Sequence, residues 1–187
     1  MKANGWRADR ELTGGGSFVQ LSIHSINLIC WWLGTRVKQV TAFSQNRLCK
    51  EVGGDDATVA AVTFGDNTLG LFDSGYASDG LLRELYGTRG WIRLSVDGEH
   101  RRLELCLDQP FKFESLVDYV TPNKSASFLL PKPAFEDIAN PYNQNAVFID
   151  RVRRNQSPHM SVEQGRDDMA VVAAVYESAR LGKSVEL

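Results

Sequence analysis

This sequence predicts an α+β fold in which an open, mostly antiparallel β-sheet carries helices on one face. Three observations point there. Residues 18–33 are apolar nearly all round, opened by Gly14-Gly15-Gly16 and closed by Gly34. Runs rich in valine, leucine and threonine then follow one another through tight turns, and a second helical pattern ends the chain. The chain has 187 residues, 43% of them hydrophobic and 24% charged. A globular chain of this size buries about 70% of its unfolded surface, enough for one sizeable core.

Residues 1–13 are polar and read as a flexible N-terminal segment, held only if something packs on Trp6. Residues 14–187 read as a single α+β domain. Its first helix starts near Gly15 or Gly16 and stops at Gly34, a residue suited to the left-handed conformation that ends helices. Apolar residues occupy both flanks of that helix, so it is expected to be covered on more than one side.

Beyond Gly34 the period shortens. Residues 36–46 alternate in part, and 57–64 and 68–76 are joined through Gly65-Asp66-Asn67 as a hairpin. Strands 81–86, 91–96 and 101–107 follow, turned by Gly87-Thr88-Arg89-Gly90 and Asp97-Gly98. Residues 110–141 are rich in proline, lack a clean period and read as irregular connections. A helix is expected over 142–154. Another runs from Ser161, with Gln164 in capping-box position, to Gly182. Residues 184–187 are expected to add an edge strand.

The formal charge of −2 gives no electrostatic reason to expect a nucleic-acid partner. Arg151, Arg153 and Arg154 sit beside Asp150 near a helix end, where they suit the dipole and solvent. Cys30, Cys49 and Cys106 are odd in number and widely spaced, which suits free thiols in a reducing compartment. The N-terminus lacks the apolar core of a signal peptide. The apolar tract over 18–33 is broken by Gln20, His24, Ser25 and Asn27, which argues against a membrane span. A cytoplasmic location is expected.

Chemistry concentrates on that first helix. Gln20, His24 and Asn27 recur at near-turn spacing and are expected to face one cleft. His24 reads either as a core histidine bonding Gln20 or a backbone carbonyl, or as a general acid/base or ligand donor. No cysteine or carboxylate lies at zinc-ligand spacing from it, so no metal site is expected. Tyr76 and Tyr176 read as pocket aromatics or as core.

The stretch WRADRELTGGGSFVQLSIHSINLICWWLG resembles the start of the C-terminal domain of the Gfo/Idh/MocA (glucose–fructose oxidoreductase/inositol dehydrogenase) family. DDATVAAVTFGDNTLGLFDSGYAS, ELYGTRGWIRL and FIDRVRRNQSPHMSVEQGRDDMAVVAAVYESARLGKSVEL are similar to that domain's hairpins and closing helices, in the same order. The resemblance implies an open sheet that closes a substrate site and builds an oligomer. The NAD(P)-binding Rossmann domain and its Glu-Lys-Pro lysine belong to the other half of such enzymes. Neither a GxGxxG fingerprint nor a Glu-Lys-Pro segment occurs here, so no cofactor is expected on this chain alone. NAD(P) enters only with a Rossmann partner.

By the same resemblance, His24 falls on the family's catalytic-site histidine, and Trp6 and Arg7 on a tryptophan–arginine pair near the substrate. The family's aspartates fall on Gln20 and Asn27. An amide hydrogen-bonds but cannot accept a proton as a carboxylate does, which puts proton abstraction in doubt. Candidate substrate contacts are therefore Trp6, Arg7, Gln20, Asn27 and Tyr76, with His24 as the catalytic candidate.

Three readings remain open. One is the substrate-binding and oligomerisation domain of a truncated or split NAD(P)-dependent sugar- or inositol-type oxidoreductase, not competent for hydride transfer alone. Another is a cofactor-free isomerase, cyclase or lyase that uses His24 on a small polar or cyclic ligand. The last is a non-catalytic binding or oligomerisation module. A homodimer or larger homo-oligomer is expected over the sheet face carrying Val59, Ala61, Thr63, Leu69 and Leu71, and a separate Rossmann-domain subunit is a possible partner.

Overall fold

The computed structural model describes residues 5–77, 80–97, 100–109, 125–130, 144–158 and 160–187. A 3-10 turn at Trp6–Ala8 and α1 (Arg10–Thr13) precede the glycines. A π-helical turn at Phe18–Ser22 runs into α2 (Ile23–Leu33). Strands β1 (Val37–Gln45), β2 (Ala57–Phe64), β3 (Leu69–Gly75), β4 (Leu81–Gly87), β5 (Gly90–Asp97), β6 (His100–Leu107) and β7 (Ser125–Leu130) follow. The chain closes with α3 (Gln144–Arg153), α4 (Val162–Leu181) and β8 (Val185–Glu186).

The architecture is the expected α+β, with every described strand pair antiparallel. The strands are shared between two sheets, ordered β3-β2-β1-β8 and β4-β5-β6-β7. Where the sequence reading draws one domain, contacts cluster into two compact units: Met1–Ser78 with Ser157–Leu187, and Asp79–Gln156. Of the proline-rich stretch only β7 is described; the irregular connections expected around it lie outside the described residues.

In the first unit the pleat sorts side chains by face. Val40 and Ala42 of β1, Ala60 and Val62 of β2 and Phe72 of β3 turn inward onto Ile26 and Cys30 of α2 and Val171, Val172 and Val175 of α4. Fully burying the valine, isoleucine and phenylalanine side chains among these stabilises by roughly 1.5–3 kcal/mol each. The alternate positions face away from the helices, with Phe43 77%, Leu69 79% and Leu71 68% exposed. Helices therefore lie on one face of this sheet and an apolar face is left open.

The helix ends follow local chemistry. Gly34 and Gly182 adopt the left-handed C-cap, and Ser161 with Gln164 completes the capping box. Ser178 of α4 finishes the sheet: its hydroxyl accepts the Ala42 N–H beyond the short β8 pairing and donates to the Lys183 carbonyl.

The second unit's sheet carries alternating charge on one face. Glu84, Arg93 and Glu104 stand opposite one another across β4, β5 and β6, with Arg93 bonded to Glu84 and stacked 5.3 Å from the Trp91 ring centroid. Helix α3 leaves Phe148, Ile149 and Val152 exposed. Among the described residues no helix is long and apolar enough to cross a membrane.

Candidate functional site

The segment before the first helix is tied down by glycine-to-glycine contact. A Cβ on Gly16 would fall 1.9 Å from the Asp55 carbonyl oxygen, and one on Gly54 would fall 2.3 Å from the Gly16 nitrogen. Two backbones approach this closely only without side chains between them. The contact delivers Asp55 to the start of the helix. Its carboxylate, 8% exposed, receives the N–H groups of Gly16 and Phe18 and the hydroxyls of Ser17, Thr58 and Tyr176, all within 2.9 Å. Burial pushes the Asp55 carboxyl up, but the bonds from Tyr176, Phe18, Thr58 and Ser17 outweigh it and hold it below the usual carboxylate range.

The remaining donors at this glycine-rich start are also taken. Gly15 N–H goes to the Thr13 hydroxyl, Ser17 N–H to the Asp55 carbonyl and Val19 N–H to the Tyr176 hydroxyl. A nucleotide pyrophosphate needs such N–H groups free, so these residues do not fit one.

The π turn changes which residues share a face. Its bonds reach from i to i+5, so each residue turns the chain less than in an α-helix and later positions are rotated relative to earlier ones. Gln20 lies inside the turn and donates its side-chain amide to the Arg7 carbonyl at 2.9 Å. That bond gathers Trp6, Arg7 and Gln20, with the Arg7 guanidinium 5.2 Å from the Trp6 ring centroid. The segment read as flexible thus carries ordered turns from Trp6 and is tied again where Gly53 N–H meets the Ala8 carbonyl.

The expected cleft shared by Gln20, His24 and Asn27 is not formed. Asn27 turns the other way and donates to Asp168 of α4 at 2.8 Å. Asp168 is 1% exposed and also accepts from Arg36 at 3.2 Å. His24 is exposed, neither sealed in the core nor bonded to Gln20, and it lines neither of two cavities in this unit, of about 210 and 260 Å³. Asn27 lines the larger one with Trp31, Arg36 and Met160.

Tyr76 lies half-buried after β3, its N–H on the Asp56 carbonyl. Its hydroxyl is shielded and has no partner among the described residues. Burial first, then the charge of Asp55, pushes that phenol up to about 12, so it stays protonated as a donor. Asp56 next door gathers the N–H groups of Arg47, Leu48 and Cys49, which pins the loop between β1 and β2.

Asp55 and Asp168 are not legible as anchors in the sequence, because their partners, Thr58 apart, lie 37–141 positions away. A faint signal exists in Gly53-Gly54-Asp55-Asp56, where two acids follow a glycine pair directly before a strand. Tyr176, read as pocket or core, does both: it packs edge-on against Phe18 and lines the smaller cavity. No group of histidine, cysteine and carboxylate side chains suited to a metal occurs among the described residues.

Residues 1–93 match the model of the GFO/IDH/MocA C-terminal domain. Among solved structures, the chain is similar to an aldose-aldose oxidoreductase from Caulobacter crescentus complexed with glycerol, at 19% identity and a TM-score of 0.80, covering 100% of this chain and 52% of that one. It is also similar to a levoglucosan dehydrogenase in complex with NADH, at 17% identity and a TM-score of 0.75, covering 99% and 55%. A third is a putative NADPH-dependent oxidoreductase from Desulfitobacterium hafniense, at 20% identity and a TM-score of 0.74, covering 98% and 51%. The chain spans about half the length of these structures.

Proposed function

The chain belongs to the GFO/IDH/MocA C-terminal domain family, and from that premise we propose that it is the substrate-binding and oligomerisation domain of an NAD(P)-dependent sugar- or inositol-type oxidoreductase. The observation that carries this reading is the Gln20 bond to the Arg7 carbonyl, which gathers Trp6, Arg7 and Gln20 at the start of the helix that exposes His24. An indole, a guanidinium, an amide and an imidazole present stacking surface, donors and a titratable group to a polyol. Asn27 is assigned to structure rather than substrate, because its amide is spent on buried Asp168.

A nicotinamide accepts or gives a hydride, and on this reading a Rossmann domain supplies it. What this chain contributes is binding and orientation, with His24 the one group on that surface suited to holding or passing a proton. The levoglucosan dehydrogenase holds NADH, which accords with that division of labour. The open face carrying Phe43, Val59, Leu69 and Leu71 supports a homo-oligomer, since contiguous exposed apolar surface marks an interface.

The test is a titration of the ¹⁵N-labelled chain with D-glucose and myo-inositol, read by amide and side-chain shifts. Shifts at the Trp6 indole, the Gln20 amide and His24, weakened about tenfold by Arg7→Ala, are expected. Absence of shifts at all three, at ligand concentrations that saturate sugar sites, would overturn the reading. In the same samples Phe43→Glu is expected to turn a sedimenting dimer into monomer; a wild-type monomer at every concentration removes the oligomerisation half.

A further inference from the structure

The larger of the two cavities in the first unit, about 260 Å³, lies where the last turn of α2 and the residues after it meet the approach to α4. The polyol surface assigned above does not use it: Gln20 and His24 belong to the start of that helical stretch and Trp31 to its end. Part of the cavity wall is open and apolar. Trp31 is 73% exposed and Met160 49%, so an indole and a thioether stand in water side by side on it. The Cys30 thiol, a small hydrophobe when buried, lines it as well.

Arg36 supplies the charged part of the wall, and it is anchored. Its side chain is 40% exposed, yet its Nη1 donates to Asp168 at 3.2 Å. Asp168 is buried and also accepts the Asn27 amide at 2.8 Å, so that carboxylate is served by two partners. A guanidinium carries five N–H donors, and one bond to Asp168 leaves donors for a second acceptor. The buried carboxylate also fixes the Arg36 side chain before any ligand arrives, which lowers the ordering cost of binding.

We propose that this cavity is a binding site for a small aromatic carboxylate, a single ring bearing one carboxylate group. The ring packs against the Trp31 indole and the Met160 thioether, whose exposed surfaces suit offset stacking and sulfur–aromatic contact. The carboxylate goes to Arg36, for which the planar fork is matched. Size agrees with one ring: an apolar cavity of about 150 Å³ holds a benzene, and drug-sized ligands fill roughly 300–1,000 Å³. A ring without the charge would leave the fork unused, and a carboxylate without the ring would leave the indole in water. The site is separate from the Trp6, Arg7, Gln20 and His24 surface, and its assignment does not depend on that surface binding a sugar.

The probe is sodium benzoate, titrated into the ¹⁵N-labelled chain beside benzyl alcohol, which has the ring without the charge, and sodium acetate, which has the charge without the ring. Benzoate is expected to shift the Trp31 indole N–H, identified by its loss in Trp31→Ala, and the amides of Gly34 and Thr35. Each of the other two should act about tenfold more weakly, the worth of one charge-assisted bond or one stacked ring. Arg36→Lys keeps a cation beside buried Asp168 but removes the fork, and should bring benzoate down to the level of benzyl alcohol. Trp31→Ala changes an exposed residue, leaves the fold intact and should weaken the Gly34 and Thr35 shifts at least about tenfold. Three results would overturn the proposal: no shifts at these positions with benzoate, a response to benzyl alcohol or acetate equal to that to benzoate, or shifts that either variant leaves intact. Benzoate shifts confined to Trp6, Gln20 and His24 would also overturn it, without bearing on whether that surface takes a polyol.

Discussion

Asp55 and Asp168 hold the same helical stretch in two places, by different means. Asp55 meets its start and is satisfied by two backbone N–H groups and three hydroxyls, with no cation among these partners. Asp168 meets its middle from α4 and is satisfied by the Asn27 amide and the Arg36 guanidinium. The first is an anion neutralised by dipoles, the second an ion pair completed by an amide. The comparison explains why position 27 carries asparagine: with the carboxylate already supplied by α4, an acid on the helix would face another acid.

The largest effect is expected from removing the first anchor. Asp55→Asn turns an NH₂ toward N–H and O–H groups that themselves donate, leaving them without an acceptor, and should cost about 3–5 kcal/mol in urea unfolding near neutral pH. The sign with pH follows from the depressed folded pKa of Asp55. Its contribution is complete above the ordinary carboxylate range, near pH ~4, and is lost as pH falls through the folded value. The gap between wild type and Asp55→Asn should therefore close in acid. A gap independent of pH would show that the carboxylate charge is not what holds the helix start.

A smaller loss, about 2–4 kcal/mol, is expected for Asn27→Asp, which sets a second carboxylate against Asp168 where an amide now donates to it. One of the pair should take up a proton as pH falls, so part of this loss should return on acidification. An unchanged unfolding midpoint would mean that the buried pair is not sensed at all.

The smallest change probes α4 away from both anchors. Ser161→Ala removes the side-chain half of the capping box and should cost about 1 kcal/mol, read from the same urea midpoints. A loss as large as that of Asn27→Asp would place the start of α4 among the anchors.

Strands and helix ends were legible because their signals are local. The alternation in β2, the turn through Gly65-Asp66-Asn67, the Ser161–Gln164 box and the stops at Gly34 and Gly182 all lie within a few residues of what they control. The short edge strand β8 was readable for the same reason. The residues gathered at Arg7 came partly from family resemblance and partly from the polar stripe on the helix. That stripe does not show that Asn27 bonds Asp168, because the acid lies 141 positions away on α4. Nothing in the composition of residues 18–22 announces i to i+5 bonding.

By itself the sequence determined the order of elements, which faces of the strands are apolar and where each long helix stops, since periodicity, turn chemistry and caps act over a few residues. Only the tertiary structure decided that Asp55 closes the helix start, that Asp168 takes the amide of Asn27 and that His24 faces solvent. Those outcomes depend on where buried charges find donors, and a folded chain brings donors together from opposite ends of its length.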